Sequence, residues 1–127
     1  MLLHIAARHK MHVEHMDVRS AFLHADLGNY ELYVKPPQGF ESYDSEGNLL
    51  VCKLNKSLYG LKQSGRNWNS LLDDFLKSDG FVQSKSDPCL YTKIGENFII
   101  IVLAWVDDLS IVSDNESEMT GFKSILS

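Results

Sequence analysis

The run from Phe98 to Val106 is nine residues without a polar side chain, Phe-Ile-Ile-Ile-Val-Leu-Ala-Trp-Val, and it stops abruptly at Asp107-Asp108. A membrane-spanning helix needs about 20 apolar residues, so a run this short must be buried inside a protein. Its β-branched content and the turn cluster Gly95-Glu96-Asn97 before it predict a strand, Phe98 to Trp105, apolar on both faces. Leu109 to Val112 is a second apolar run, which predicts a strand pairing back. The turn would lie at Asp107-Asp108 or one residue to either side, which places two adjacent acids at the tip of a buried hairpin. Such a pair is costly unless positive charge sits beside it.

The rest of the 127 residues must supply what covers that hairpin. Residues 2 to 9 carry a helical apolar face, and Met11 to Val18 alternate loosely, with Met11, Val13, His15 and Asp17 on one strand face. Ser20 to Leu23 reads as a short helix fading near Gly28-Asn29. Glu31 to Val34 and Leu49 to Leu54 are extended pieces, expected as an exposed hairpin around the turn residues 44–48. Trp68, Leu71, Leu72, Phe75 and Leu76 follow helical spacing, with Ser64 as N-cap and Gly80 as C-cap. Residues 89 to 93 form a short strand. The segment after Ser113 starts a helix of about two turns, with Ser113-x-x-Glu116 resembling a capping box.

A chain of this size buries roughly two thirds of its unfolded surface, enough for one core. Net charge is -5, with 12 Lys plus Arg against 17 Asp plus Glu, which argues against a free-standing nucleic-acid binder. Cys52 and Cys89 match neither a disulfide framework nor a zinc pattern and are expected as reduced core thiols of an intracellular protein, cytoplasmic or nuclear. No signal-peptide pattern opens the chain, and no membrane contact is expected. His9, His12 and His15 recur every third residue but do not share a strand face, so they are expected to be incidental.

The order is strand with Asp17, helix, then hairpin: a strand-helix-strand-strand unit of an α+β fold. A right-handed crossover that set the first strand beside the hairpin would bring Asp17 to Asp107 and Asp108. Carboxylates so gathered repel unless a cation shares them, and Mg²⁺ takes one or two carboxylates plus water and substrate phosphate. Paired Mg²⁺ ions serve phosphoryl displacement in polymerases and nucleases. Taken alone, an Asp-Asp dipeptide equally suits a solvated turn, as expected for Asp73-Asp74 on the outer face of the long helix.

The context is more specific. Ala104-Trp105-Val106-Asp107-Asp108-Leu109-Ser110-Ile111-Val112-Ser113-Asp114 resembles the catalytic hairpin of reverse transcriptases. Met16-Asp17-Val18-Arg19-Ser20-Ala21-Phe22-Leu23, Val51-Cys52-Lys53-Leu54, Ser57-Leu58-Tyr59-Gly60-Leu61-Lys62-Gln63-Ser64 with Arg66-x-Trp68, and Ser84-x-Ser86-Asp87-Pro88-Cys89-Leu90-Tyr91 are similar, in order, to blocks of copia-type LTR retrotransposon polymerases.

This resemblance implies a polymerase palm with an antiparallel sheet and a catalytic Asp-Asp hairpin, incomplete, within a single partial domain over 1–127. The upstream fingers strands, the rest of the palm, the thumb and the RNase H domain would lie outside it. It makes Asp17 and Asp107 the principal ligands of two Mg²⁺, Asp108 the supporting acid and the Val18 carbonyl a further ligand. Phe22 would lie under the incoming sugar, where its ring excludes a 2′-hydroxyl; from the residues alone, core packing explains it as well. Tyr59 and Gly60 would lie against the nascent base pair, Lys62 and Arg66 would contact backbone phosphates, and Trp105 would approach the primer. A solvated basic face serves equally for Lys53 and Lys56.

The implied partners are an RNA or DNA template-primer and deoxynucleoside triphosphates, and the chain alone is expected to be inactive. Two departures stand out: Gly65 where the family usually has proline, and Trp105 where it usually has Tyr or Phe. The competing possibilities are a non-catalytic transposon-derived remnant serving as an interaction module, and a small two-metal nuclease.

Overall fold

The computed structural model describes residues 1–126 and divides into two compact units, Met1–Ser20 with Leu71–Ser127, and Ala21–Ser70. The first unit is built on a five-stranded antiparallel sheet. Its elements in chain order are α1 (Leu2–His9), β1 (His12–Asp17), the C-terminal part of α3 (Ser64–Ser78), β4 (Val82–Gln83), β5 (Leu90–Ile94), β6 (Ile99–Trp105), β7 (Asp108–Ser113) and α4 (Glu116–Leu126). The strand order is β1-β7-β6-β5-β4.

The apolar run behaves as its composition requires. Ile100, Val102 and Ala104 are buried on one face of β6, while Ile99, Ile101 and Leu103 are half-buried on the other. Leu109, Ile111 and Ser113 of β7 and Tyr91 of β5 share the buried face through the register Leu109↔Ala104, Ile111↔Val102 and Tyr91↔Val102. α4 lies against β7 and buries Met119 and Phe122, whose ring centroid is 4.8 Å from that of Phe81. β1 does lie beside the hairpin, antiparallel to β7.

Helix ends depart from expectation. α4 runs eleven residues, about three turns rather than two, and its cap is Asn115, whose Oδ1 accepts the N–H groups of Ser117 and Glu118 at 3.1 and 3.2 Å. Ser113 instead accepts the Asn115 N–H. Gly80 does close α3: at φ +91°, where a side chain is strained, its N–H donates to the Lys77 carbonyl and the Phe81 N–H to Leu76. At Gly95 the reason is space, because a Cβ would stand 2.1 Å from the Phe98 ring.

The second unit carries α2 (Ala21–His24), the two-stranded sheet of β2 (Tyr33–Val34) and β3 (Cys52–Lys53), and the start of α3. The expected hairpin thus forms. The Asp44 carboxylate accepts the N–H groups of Glu46 and Asn48 and the Asn48 side-chain amide, and the Asn48 bonds hold it below the usual carboxylate range. Ser64 is no N-cap: it lies inside α3, buried, with its hydroxyl donating to the Leu58 carbonyl at 2.6 Å and accepting the Leu58 N–H at 3.1 Å. The buried stripe of α3 is Ser64, Trp68, Leu72 and Leu76; Leu71 is exposed.

Two more expectations fail. Cys52 is exposed on a two-residue strand and Cys89 is half-buried, so neither is a core thiol. Asp73 is not a solvated outer-face acid. It accepts the Tyr91 hydroxyl at 3.0 Å and the Lys77 ammonium at 2.7 Å, and both bonds, Lys77 foremost, lower its pKa. Burial, reinforced by Asp73, pushes the Tyr91 hydroxyl up to about 12.

Candidate functional site

β1 and β7 pair from His12↔Ser113 to Asp17↔Asp108. Directly opposed residues of an antiparallel pair present their side chains on one face, roughly 5 Å apart at Cβ. Asp17 and Asp108 therefore form a carboxylate pair at the end of the ladder, and the Val18 N–H locks that end by donating to the Asp107 carbonyl at 2.8 Å. Trp105 is the other register partner of Asp108 and stands 73 % exposed beside the turn.

The turn itself is Val106-Asp107, two residues between β6 and β7. Val106 sits at φ 58°, a left-handed conformation that a β-branched residue adopts only under strain. Asp107 is half-buried in the turn and meets β1 through its backbone. Among the described residues no group of three or more His, Cys, Asp or Glu side chains converges as a metal-holding cluster. The donors brought together are thus a carboxylate pair and neighbouring backbone, all hard oxygen. That set fits Mg²⁺, which binds through one or two carboxylates and fills its remaining positions with water and phosphate.

In the second unit Phe22 and Tyr59 stack, with ring centroids 4.5 Å apart and planes tilted by 38°. Gly60, next to Tyr59, has φ +96°. Lys62 and Arg66 are exposed. Lys53 and Lys56 are not a free basic face, since they pair with Glu31 at 2.5 Å and Asp26 at 2.6 Å.

Charge divides unevenly. The first unit holds seven Lys and Arg against twelve Asp and Glu, whereas the second holds five of each. The whole net charge of -5 therefore resides in the unit that carries the carboxylate pair.

A family model for reverse transcriptase (RNA-dependent DNA polymerase) matches residues 1–127, the full length of the chain. The chain belongs to the reverse transcriptase family. It is 45 % identical over 127 residues to the retrovirus-related Pol polyprotein from transposon TNT 1-94 of Nicotiana tabacum, covering 99 % of this chain and 9 % of that protein. To the Pol polyprotein from transposon RE1 of Arabidopsis thaliana it is 36 % identical over 115 residues, 91 % of the chain and 8 % of the relative. The transposon Ty1-BL Gag-Pol polyprotein of Saccharomyces cerevisiae is 33 % identical over 114 residues, 89 % of the chain and 6 % of the relative. This reverse transcriptase chain thus spans less than a tenth of the length of these relatives, and the resemblance to copia-type Pol polyproteins holds over nearly all of it. No solved structure matches it.

His12 and His15 lie on opposite faces of β1, so the histidines form no cluster, but His15 has a partner that its spacing to the other histidines does not reveal. Its Nδ1 lies 3.0 Å from the Ser110 hydroxyl, two rungs of the ladder from the acid pair and therefore on the same face. Once the register Asp17↔Asp108 is given, spacing matches these two as well, because His15 stands two residues before Asp17 and Ser110 two after Asp108.

Proposed function

We propose that the chain is part of one reverse transcriptase domain of a copia-type retrotransposon Pol polyprotein, with β1 and the β6–β7 hairpin as its palm. Its reaction would be attack of a primer 3′-hydroxyl on the α-phosphorus of a deoxynucleoside triphosphate. The new P–O bond would replace the bond to pyrophosphate, which leaves, and the hydroxyl proton would pass to solvent water. The observation that carries this reading is the register Asp17↔Asp108, which joins the first and last family motifs at one end of the sheet.

Asp17, Asp107, Asp108 and the Val18 carbonyl would hold two Mg²⁺, which supply positive charge against the phosphates and the attacking and leaving oxygens. Binding there offsets the acidity of the first unit and accounts for a net-negative chain serving a polyanionic substrate. Phe22, its ring stacked on that of Tyr59, would lie under the sugar and exclude a 2′-hydroxyl. Tyr59-Gly60 would face the nascent base pair, Lys62 and Arg66 the backbone phosphates, and Trp105 the primer end. Template-primer and deoxynucleotides are the partners, in the cytoplasm or nucleus; among the described residues no helix is long and apolar enough to cross a membrane.

The 127 residues alone should not extend a primer, because phosphoryl transfer depends on positioning groups spread over a far longer polypeptide. The test is Asp107→Asn in the complete polymerase, assayed by primer extension. Loss of extension is expected, and full extension by that variant would refute the reading.

A further inference from the structure

β1 stands at the edge of the sheet, and among the described residues β7 is its one strand partner. None of its six residues is fully buried. Register in antiparallel pairs is normally enforced by burial, since a one-residue slip turns the apolar set to solvent. That constraint is weak for His-Val-Glu-His-Met-Asp, and a two-residue slip would keep every face while moving Asp17 opposite Ser110 or Val106 instead of Asp108.

The ladder has two apolar pairs, Val13↔Val112 and Met16↔Leu109, one on each face, and polar contacts stand beside them. On the face that carries the acids His15 bonds Ser110 at 3.0 Å, two rungs from them. On the helix-covered face Glu14 is ion-paired with Lys123 of α4. The serine hydroxyl can donate or accept, so the His15 bond survives in either imidazole tautomer.

We propose that the His15–Ser110 bond is the clasp that sets the register of β1 on β7 and thereby aligns Asp17 with Asp108. His15 is a positioning residue: it acts through the acid pair and touches no reacting atom. Its relevance to metal binding rests on the function proposed above, whereas its role in register does not.

The test uses the full chain labelled with ¹⁵N, as the original and as His15→Leu, His15→Gln and Ser110→Ala. The first readout is hydrogen exchange at the Val18 amide, which bonds Asp107 only in the observed register; the second is Mn²⁺ titration followed by paramagnetic broadening at Asp17 and Asp108. Loss of one hydrogen bond should speed Val18 exchange roughly 5- to 10-fold in His15→Leu and Ser110→Ala. Amides of β5 and β6 should be unaffected, Mn²⁺ affinity should fall several-fold, and His15→Gln should restore both properties. Unchanged Val18 exchange in both bond-deleting variants, or a glutamine variant that behaves like leucine, overturns the clasp. Absence of saturable Mn²⁺ broadening in the original chain would instead sink the metal-binding reading, and Val18 exchange would still decide the clasp.

Discussion

Asp17 and Asp108 face each other across the last rung of the β1–β7 ladder, two like charges where a sheet ordinarily places a complementary pair. Like charges directly opposite destabilise a sheet, by up to about 1 kcal/mol. Asp108→Asn should therefore raise the stability of the metal-free chain by about 0.5 kcal/mol, read as a higher urea midpoint, while lowering primer extension in the complete polymerase. A variant that loses both stability and activity would mean that the acid is held by contacts other than its opposing carboxylate.

The turn between β6 and β7 places Val106 at φ 58°. Glycine takes that conformation without strain, so Val106→Gly should stabilise the isolated chain by about 1 kcal/mol. Thermal unfolding measures it, and a lowered midpoint would show that the valine side chain contributes more than its backbone costs.

Tyr91 is buried and its hydroxyl donates to Asp73, which also holds Lys77. Tyr91→Phe removes two hydrogen bonds, the one donated to Asp73 and the one accepted from the Gln83 side-chain amide at 3.1 Å, and leaves the acid its lysine, a loss of about 2 kcal/mol. The pH dependence has a definite sign. The tyrosine pKa rises from 10.0 unfolded to about 12 folded, so its contribution is complete below pH 10 and disappears as pH climbs toward 12. At the acid end the lowered Asp73 pKa gives stability that is present above the usual carboxylate range and lost as pH falls through the folded value. Unfolding free energy should decline at both ends, and the alkaline decline should be absent in Tyr91→Phe.

Phe22 and Tyr59 form one aromatic unit, with ring centroids 4.5 Å apart. If that unit bounds the sugar, Phe22→Ala in the complete polymerase should raise ribonucleotide incorporation relative to deoxynucleotide by an order of magnitude or more, while Tyr59→Leu, which frees the Phe22 ring and also removes the ring at the nascent base pair, should raise the ratio less and slow both substrates. Single-nucleotide kinetics with both substrates checks this. Equal discrimination in all three proteins would return Phe22 to simple core packing.

The elements visible in the sequence were those whose signal is local. The apolar run ending at Asp107-Asp108 dictated a buried hairpin, since nine residues without a polar group can be covered only from both faces. Period-3.6 spacing marked α3, and the turn residues 44–48 marked the β2–β3 hairpin. Less legible were features that depend on a partner distant in the chain. Nothing local distinguishes Asp73 from Asp74, yet only Asp73 meets Tyr91. Ser64 and Ser113 both carry capping chemistry, and each was drawn to a different backbone partner.

The sequence by itself determined the family, the mixed α and β composition and the residues able to bear the chemistry, because motif order and side-chain periodicity are properties of the chain. Only the tertiary structure decided that Asp108 rather than Asp107 stands opposite Asp17, that Asp107 meets β1 through its backbone, and that His15 bonds Ser110. Register is a relation between two strands, set by hydrogen bonds that form after the chain has closed on itself, and neither strand's sequence contains it alone.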